Sequence, residues 1–448
     1  MKKVAIIGAG LTGLTTAFYL KKEGLDFVIF EKDTKTGGVI STKKTEDFLY
    51  ETGPNSGTIS NAETVELFDN LQTLLDVEIA NSSAKKRLIL KDNKWQALPS
   101  GILSGINTNL FSFADKLRLL AEPFREPGTN PNETIGEIVK RRMGQSFLDY
   151  AIDPFISGIY AGNPNRLVTK YALPKLYNLE QKYGSFIGGA IKKRKEIKPY
   201  IEQRVSKDIF SIKGGLSQLT ITLEKYIGSD NIILNTEVLI EKEKDIYKVN
   251  NQYFSYIVST VSANNLPRIF QDINKNKFKD ITNLRYAKVV EITLGFNKWE
   301  GIDLNAFGGL IPSKEHKNIL GILFMSTLFK DRAPKNGALI TSFVGGIKKE
   351  YLTEMNRDEL INLLKPELQS LLQLPNFNPD LIELSYHKRA IAQYDKTSEN
   401  RILAINDIEK ENTNLFLAGS IRDGVGMADR IKQASLIAKQ IINNIKFH

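Results

Sequence analysis

The beginning of the chain alternates short apolar runs with a glycine-rich turn. Residues 3–8, "KVAIIG", form a β-branched run without a polar face, which is typical of a strand buried on both sides in a parallel sheet. A helical pattern follows as far as Lys22, and "DFVIFE" at 26–31 predicts the next strand. The order strand, helix, strand predicts the first unit of a nucleotide-binding sheet.

Later stretches continue this pattern far along the chain. "IKGGLSQLTITLEKYIG" (212–228) predicts a turn and an amphipathic helix, and "NIILNTEV" (231–238) predicts a strand. "YIVSTVSANNLP" (256–267) predicts a buried strand that runs into a polar turn. From residue 415, "LFLAGSIRDGVGMADRIKQASLIAKQII" predicts a strand, a glycine-rich loop and a helix. We therefore expect a discontinuous Rossmann-like domain made of residues 1–80, 205–265 and 405–448.

Two other patterns separate these pieces. Residues 104–180 have the periodicity of helices. The alternating runs "KVVEITLGF" and "GALITSFVGG" predict an antiparallel sheet. The predicted fold class is thus α/β: the Rossmann-like domain, a helical insertion at 104–180, and a mixed antiparallel-sheet substrate domain. The substrate domain is expected to comprise 81–103, 181–204 and 266–404.

The helical segment contains an apolar face at mostly three- and four-residue steps. Lys116 and Arg118 flank this face, so it could lie on a membrane surface, but burial against the substrate domain explains it equally well. No run of 18 or more apolar residues occurs, so the sequence predicts contact with a membrane at most and no spanning segment. The face consists of Ile102, Ile106, Leu110, Phe113, Leu117 and Leu120.

The first glycine turn has the spacing of a dinucleotide-binding motif. Gly8 permits the tight turn, Gly10 lets a pyrophosphate approach the backbone, and Gly13 lets the helix pack against the strand. Glu31 ends the second predicted strand, where a carboxylate can accept hydrogen bonds from ribose hydroxyl groups. An acidic residue there favours an adenosine ribose without a 2′-phosphate.

A second glycine pair indicates which dinucleotide is bound. Gly37 and Gly38 place another backbone-dominated turn beside the pyrophosphate, which favours FAD over NAD, although a plain surface turn after a strand is the alternative. In the C-terminal loop, the backbone amides of Gly426, Met427 and Ala428 begin a helix. They could stabilise the negative charge of a reduced flavin, or the loop could serve helix packing alone.

Composition and charge exclude several kinds of chemistry. The chain has no cysteine and three histidines, which excludes disulfides, thiolate zinc sites and a histidine-rich metal site, so no metal is expected and redox chemistry requires an organic cofactor. The absence of cysteine fits the cytoplasm. A net charge of +10 points to an anionic partner. The basic run "IKKRKEIKPY" (191–200) lacks interleaved aromatic residues, so we expect no nucleic acid.

Longer motifs resemble those of one family across nearly the whole chain. The sequence resembles the flavin-dependent porphyrinogen oxidases of haem biosynthesis, the protoporphyrinogen and coproporphyrinogen oxidase family. "GIYAG" and "LFKDRAP", within the longer segments, are not general flavoprotein motifs. The segments are "ETGPNS" (51–56), "ISGIYAGNPNRL" (156–167), "KGGLSQL" (213–219), "YAKVVEITLGF" (286–296), "FGGLIPSKE" (307–315), "LFKDRAPKNGALITSFVGG" (328–346), "RAIAQYDKTSENRI" (389–402) and "GVGMADRIKQA" (424–434).

The resemblance implies noncovalent FAD and a set of residues that contact it. It implies that Val238 makes a backbone contact with adenine. It also implies that Arg87, which precedes a strand and an "LP" turn, pairs with a substrate propionate; the alternative is a solvent-facing charge beside Lys85 and Lys86. The full set predicted to bind FAD is Gly8, Gly10, Leu11, Thr12, Gly13, Glu31, Lys32, Gly37, Gly38, Gly53, Val238, Gly419, Val425, Gly426 and Met427.

Three positions depart from the family pattern. His387 stands where members often have tryptophan, Ala392 where proline usually precedes "QY", and Ser420 where asparagine is frequent. These departures concern the details of the pocket more than the chemistry, and His387 is interpreted as a packing replacement rather than a base.

The activity implied by the resemblance is removal of six electrons from a porphyrinogen in three rounds, with molecular oxygen as the final acceptor. Protoporphyrinogen IX is the favoured substrate because of Arg87, and coproporphyrinogen III is the alternative because of the high net charge. A flavin amine oxidase and a flavin-binding partner protein without turnover are more distant alternatives. The expected location is the cytoplasm, with a peripheral position on the inner face of the cell membrane as an option, and an oligomer is possible.

Overall fold

The structure, a computed structural model, describes residues 3–99, 102–197 and 199–447. The strands are β1 (Val4–Ile7), β2 (Phe27–Phe30), β3 (Thr42–Lys44), β4 (Leu49–Glu51), β5 (Gly57–Thr58), β6 (Val77–Ile79), β7 (Leu88–Lys91), β8 (Lys94–Ala97), β9 (Ile209–Ile212), β10 (Ile232–Ile233), β11 (Ile240–Glu243), β12 (Ile246–Val249), β13 (Gln252–Phe254), β14 (Tyr256–Ser259), β15 (Tyr286–Phe296), β16 (Gly308–Leu310), β17 (Ile319–Leu323), β18 (Ala338–Gly345), β19 (Leu381–Ala392) and β20 (Leu415–Leu417).

The helices alternate with these strands at the two ends of the chain and cluster in its middle. They are α1 (Leu11–Lys22), α2 (Ala62–Leu71), α3 (Ile102–Asn107), α4 (Phe113–Leu120), α5 (Ile135–Arg142), α6 (Gln145–Phe147), α7 (Asp153–Tyr160), α8 (Thr169–Ala172), α9 (Pro174–Tyr183), α10 (Phe186–Arg194), α11 (Tyr200–Gln203), α12 (Ser217–Ile227), α13 (Leu266–Ile269), α14 (Lys279–Thr282), α15 (Met325–Leu328), α16 (Arg357–Leu372), α17 (Ser398–Glu411) and α18 (Met427–Phe447).

A five-stranded parallel sheet is formed by the pieces that the sequence predicted to belong together. Its order is β10-β2-β1-β14-β20. β1 is central and buried on both faces: Val4 and Ile6 pack in the core under α1, α12 and α18, whereas Ala5 and Ile7 pack toward β12 and β13. This position explains why the first strand has no polar residue. Parallel strands also bring the loops after their carboxyl ends to one edge.

A seven-stranded mixed sheet forms the second unit, in the order β19-β15-β18-β17-β16-β7-β8. β15 lies between β18 and β19 and runs antiparallel to both. In this sheet, only β16 and β7 pair in parallel. α16 covers one face of the sheet. Its leucines Leu360, Leu364 and Leu368 pack with residues such as Ile292 and Val344 in a closed core.

The middle of the chain forms a helical region that rests against the second sheet. Its helices continue past residue 180, because α10 follows α9 and Phe186 belongs to the same core as Tyr150 and Ile156. "GIYAG" lies at the junction with the sheet. Ala161 adopts a left-handed conformation (φ 44°), and its carbonyl oxygen accepts a hydrogen bond from the Ile347 amide (2.8 Å). This segment therefore joins the helices to the sheet.

The fold class predicted from the sequence is confirmed, and the domain limits given above stay a prediction. The predicted apolar face of the helical segment is divided: Leu110 is fully buried, in line with the burial alternative, whereas Phe113 is exposed. Leu110 packs with Ile89 and the helices around Tyr150. The side chains of Ile102 and Ile106 lie outside the described part of the structure. Within the described ranges, no helix is both long enough and apolar enough to cross a membrane.

Candidate active site

The three glycines of the first turn lie in different surroundings. Gly8 has a φ of +103°, and a Cβ on it would lie 2.5 Å from Oγ1 of Thr260. A Cβ on Gly13 would lie 2.0 Å from the carbonyl oxygen of Gly8. Around Gly10 there is space, since the nearest atom to a Cβ would be the Gly38 Cα at 4.0 Å. Gly8 and Gly13 are therefore required by the fold, whereas Gly10 leaves open backbone that a ligand can approach.

The second glycine turn packs directly against the first. The Gly37 amide donates to the carbonyl oxygen of Ala9 (2.9 Å), and Gly37 and Gly38 have φ values of +101° and +59°. Leu11 and Thr12, both buried, form the first turn of α1 beside this contact. The N-terminus of α1 and two glycine turns, which carry few side chains, form a site suited to a pyrophosphate. Backbone amides and the helix dipole favour negative charge there.

The predicted ribose carboxylate lies at the edge of this cradle. Glu31 is 7% exposed, and its carboxylate accepts hydrogen bonds from the amides of Ala9 (2.7 Å) and Asp33 (3.0 Å). The Thr236 amide donates to the Glu31 carbonyl oxygen (2.9 Å), which brings the segment with the buried Val238 alongside. Lys32 faces solvent and pairs with Asp33, so it lies at the rim of the cradle rather than inside it.

A buried ion pair positions the loop that follows β4. The Glu51 carboxylate accepts hydrogen bonds from the Leu216 amide (2.9 Å) and from Nη1 of Arg332 (3.3 Å). Burial raises the pKa of Glu51, and these hydrogen bonds oppose that rise. The loop then brings Gly53 against the second glycine turn, where a Cβ would lie 2.0 Å from the Val39 carbonyl oxygen. Arg332, within the motif "LFKDRAP", thus supports the loop after β4 on the cofactor side of the molecule.

Side chains from two other motifs fix the C-terminal glycine loop. Gly419 has a φ of +92°, and its amide donates to Oε1 of Gln433 (2.7 Å). The Tyr394 hydroxyl donates to the carbonyl oxygens of Ser420 (3.0 Å) and Gly424 (2.8 Å). The buried Arg401 donates from Nε to the Ile421 carbonyl oxygen (2.8 Å). These hydrogen bonds hold the loop in one conformation between β20 and α18.

The start of α18 differs in one respect from the expectation. The Gly426 amide donates to Oδ2 of Asp429 (3.1 Å), so the carboxylate of the helix's own first turn takes up this amide. Val425 is half-buried, and Met427 and Ala428 are buried where the helix begins. The Gly426 amide is therefore not free for a flavin in this conformation, and Asp429 must move if the flavin uses it.

The face of the second sheet opposite α16 is incompletely covered. Leu310, Leu320 and Phe343 on this face are half-buried, although their strands lie in the interior of the sheet and the residues on the α16 face are closed off. The cofactor side and the helical region border this face, since Asn55 reaches it and Gly158 of α7 packs on Leu310. A half-exposed apolar surface between covered elements is a candidate binding surface, and we call this face the slot face.

Polar groups meet at one place on the slot face. Nδ2 of Asn55 donates to Oε1 of Glu291 (2.7 Å). Nε2 of His387 lies 3.5 Å from Oε2 of Glu291. Asn55 and Glu291 are 6% and 2% exposed. Burial raises the pKa of Glu291, while the neighbouring His387 and the hydrogen bond from Asn55 oppose this effect.

Arg87 lies on the same side of the sheet as the slot face. It is exposed directly before β7, and its guanidinium carbon stands 5.6 Å from the centroid of the Phe307 ring. Its carbonyl oxygen accepts a hydrogen bond from Leu98 (2.8 Å), so the "LP" turn folds back onto the arginine. Ile89 packs toward the helical region. Side chains two residues apart in a strand lie on the same face, so Arg87 lies on the face that carries Ile89.

The sequence interpretation missed several residues that support this site. Arg332, Tyr394, Arg401 and Gln433 were overlooked, although each lies inside a quoted motif. The available signal was a polar or charged residue in an otherwise apolar or glycine-rich motif, which is typical of a buried group with dedicated partners. Glu291 gave the same signal inside "KVVEITLGF" and was also missed.

The chain is similar to known proteins along nearly its whole length. The chain is 29% identical to protoporphyrinogen oxidase 2, chloroplastic/mitochondrial, of Arabidopsis thaliana, over 99% of this chain and 94% of that protein. It is 24% identical to coproporphyrinogen III oxidase of Bacillus subtilis (strain 168), over 96% of each.

Similarity in structure extends over the whole chain. A crystal structure from Exiguobacterium sp. 255-15, provisionally assigned as a protoporphyrinogen oxidase, aligns with a TM-score of 0.80 and 22% identity over 99% of both chains. The paired glycine turns, the open Gly10 and the carboxylate of Glu31 fit FAD as the cofactor. The profile described as flavin containing amine oxidoreductase matches residues 11–442, and the chain belongs to that family.

Proposed function

We propose that this protein oxidises a porphyrinogen to a porphyrin, with FAD as the cofactor and molecular oxygen as the final electron acceptor. The observation that carries the proposal is the apolar slot face, which borders the loop that reaches the paired glycine turns. A mostly apolar tetrapyrrole macrocycle suits a surface made of Leu310, Leu320 and Phe343. Near full-length similarity to enzymes named for porphyrinogens supports the same substrate class.

The protein's contribution to this reaction is positioning in a dry site. FAD, when bound, supplies a two-electron acceptor that oxygen can reoxidise. The glycine turns would hold its pyrophosphate, Glu31 its ribose, and Tyr394 and Arg401 would keep the C-terminal loop in place. The slot face would orient the macrocycle and exclude water, which lowers the entropic part of the barrier.

Between the two porphyrinogens, we favour protoporphyrinogen IX. Arg87 offers one cation at the edge of the slot face, and the wall beside it is apolar. Protoporphyrinogen carries two propionates and two vinyl groups, whereas coproporphyrinogen carries four propionates and requires more cations. The test is a side-by-side measurement of kcat/KM for both substrates. We expect the higher value for protoporphyrinogen IX, and a tenfold preference for coproporphyrinogen III would show that this choice is wrong.

We also propose a peripheral contact with the inner face of the cell membrane. Four apolar side chains on and directly after α4 are strongly exposed at steps of four, three and four residues: Phe113 (76%), Leu117 (51%), Leu120 (70%) and Phe124 (90%). We call these four the α4 patch. Lys116 and Arg118 flank it, and the net charge of +10 complements anionic lipids. Such a position would give access to an apolar substrate dissolved in the bilayer.

A further inference from the structure

Glu291 is a buried carboxylate in the middle of an apolar strand. It is 2% exposed within "KVVEITLGF", where a carboxylate costs free energy unless it has partners. Its cross-strand neighbours are Phe343, which lines the slot face, and Ser385 on β19. Nδ2 of Asn55 holds Oε1 of Glu291 at 2.7 Å. Its second oxygen is directed toward His387.

His387 connects this carboxylate with solvent. Its side chain is 25% exposed and lies on β19, the edge strand of the sheet. Nε2 is buried, lies 3.5 Å from Glu291, and has no hydrogen-bond partner within the described ranges. The exposed part therefore lies elsewhere on the side chain. Together the two side chains lead from the slot face to the surface of the protein.

We propose that Glu291 accepts the proton that a porphyrinogen loses at the slot face and that His387 passes it to solvent. This inference rests on the proposed function and deepens it. This proposal replaces the interpretation of His387 as a packing residue. An imidazole can pair with a buried carboxylate, whereas an apolar side chain at position 387 would leave Glu291 without that partner. Glu291 contacts the substrate in this scheme, and His387 acts through Glu291.

In each of three rounds a C–H bond of a bridging methylene group breaks, and FAD, when bound, would take the hydride, that is, two electrons and one hydrogen. The substrate also releases one proton in each round, and an O–H bond forms on Glu291. A porphyrinogen has four N–H groups and a porphyrin has two, so in net terms two of these protons come from N–H bonds and the third from a C–H bond of the fourth bridge. Each proton then moves from Glu291 to His387 and on to water. Six electrons and six hydrogens leave the substrate, and three molecules of oxygen take up the electrons and six hydrogens as three molecules of hydrogen peroxide.

The electrostatics of the surroundings support a base at this place. Burial raises the pKa of Glu291 above its ordinary value, which brings it closer to the operating pH, as efficient proton transfer requires. Two other charged residues share this side of β19. Glu383 is paired with Lys43, and Arg389 donates to Oγ of Ser262 (3.1 Å). β18 contributes Phe343 and the loop after β4 contributes Asn55, neither of which titrates.

The test compares pH profiles of variants that retain FAD. Glu291→Gln keeps the shape of the side chain and removes the base, so we expect kcat to fall about 100-fold with KM nearly unchanged, and the acid limb of the profile to disappear. His387→Ala should lose about tenfold in kcat, and added imidazole should restore activity. Glu383→Gln, an acid on the same side of β19, is the matched control and should behave as the wild type.

A second readout does not depend on activity. Because the pKa of Glu291 is raised in the folded state, the folded protein binds more protons than the unfolded chain between the two pKa values. This contribution to stability is fully present below the ordinary value of 4.5 and is lost as the pH rises through the folded pKa. In Glu291→Gln the free energy of unfolding should fall less over this range than in the wild type or Glu383→Gln.

The possible results separate this inference from the proposed function. If the wild type forms no porphyrin from either porphyrinogen, the proposed function fails. If the wild type is active and Glu291→Gln retains its kcat and acid limb, the proton acceptor is elsewhere and this inference alone is overturned. Should Glu291→Gln lose FAD, Glu291→Asp and His387→Ala carry the test: a normal acid limb in both overturns the inference, and a shifted limb supports it.

Discussion

Gly10 and Gly13 lie three residues apart, yet a side chain would meet different surroundings at each. We expect Gly10→Val to fold but to purify without flavin, because the nearest protein atom to the added Cβ is the Gly38 Cα at 4.0 Å, an ordinary contact, and the side chain would occupy the approach of the pyrophosphate. Gly13→Val should fail to fold, since its Cβ would lie 2.0 Å from a carbonyl oxygen. Flavin absorbance and circular dichroism measure both effects. A Gly10→Val protein that retains FAD would contradict the assignment of the turn.

Arg87 tests the substrate side of the site at the same scale. Arg87→Ala should remove one charge-assisted pair with a propionate, about 1.5 kcal/mol at this exposed position, which is about a tenfold rise in KM. The effect on kcat should be small because the propionate is remote from the reacting carbon. Lys85→Ala is the matched control, because Lys85 is also exposed and two residues away. If both variants have the KM of the wild type, Arg87 is a surface charge only.

At the scale of elements, a buried ion network holds the helical region together. Arg142 and Glu122 are fully buried, and Nη1 of Arg142 donates to Oε1 of Glu122 (2.5 Å), while Nε of Arg142 donates to Glu180. Arg142→Met leaves the buried Glu122 without its cation and leaves Glu180 with Arg141 alone, so we expect a loss of about 3 to 5 kcal/mol in the free energy of unfolding. Arg141→Met, whose side chain is partly exposed, should cost clearly less. Urea unfolding of the holoprotein measures both, and equal losses would contradict the network's importance.

α4 is the element that carries the membrane hypothesis. The double variant Phe113→Ser, Leu120→Ser should abolish sedimentation with anionic liposomes at low salt, because it removes the two most exposed large apolar side chains of α4 itself. Leu403→Ser, Leu436→Ser alters leucines on α17 and α18 that are 55% and 50% exposed and serves as the control. Binding that both double variants lose, or that neither loses, would contradict a specific role of the α4 patch.

At the scale of the whole molecule, local patterns in the sequence predicted individual strands and helices, but the sequence did not predict which distant residues contact each other. The burial of β1 on both faces was predictable, because none of its four residues is polar. In the structure these residues pack into two cores. Leu110 had the spacing of a surface face but is buried, since periodicity does not say what packs against a helix. Glu291 and His387 lie 96 positions apart in the sequence, and only the register of β15 and β19 brings them together. Arg332 and Tyr394 also support the site through partners that are distant in the sequence and adjacent only in the fold.

The central claim, that the slot accepts a porphyrinogen and that the bound flavin oxidises it, is tested most directly by an anaerobic mixing experiment. Holoprotein is mixed with chemically reduced protoporphyrinogen IX, coproporphyrinogen III or cyclohexylamine, and flavin absorbance and porphyrin fluorescence are followed together. We predict that a porphyrinogen bleaches the flavin while porphyrin appears, and that the amine does neither. Bleaching by the amine, with a flavin that stays oxidised in both porphyrinogens, would contradict the proposed function.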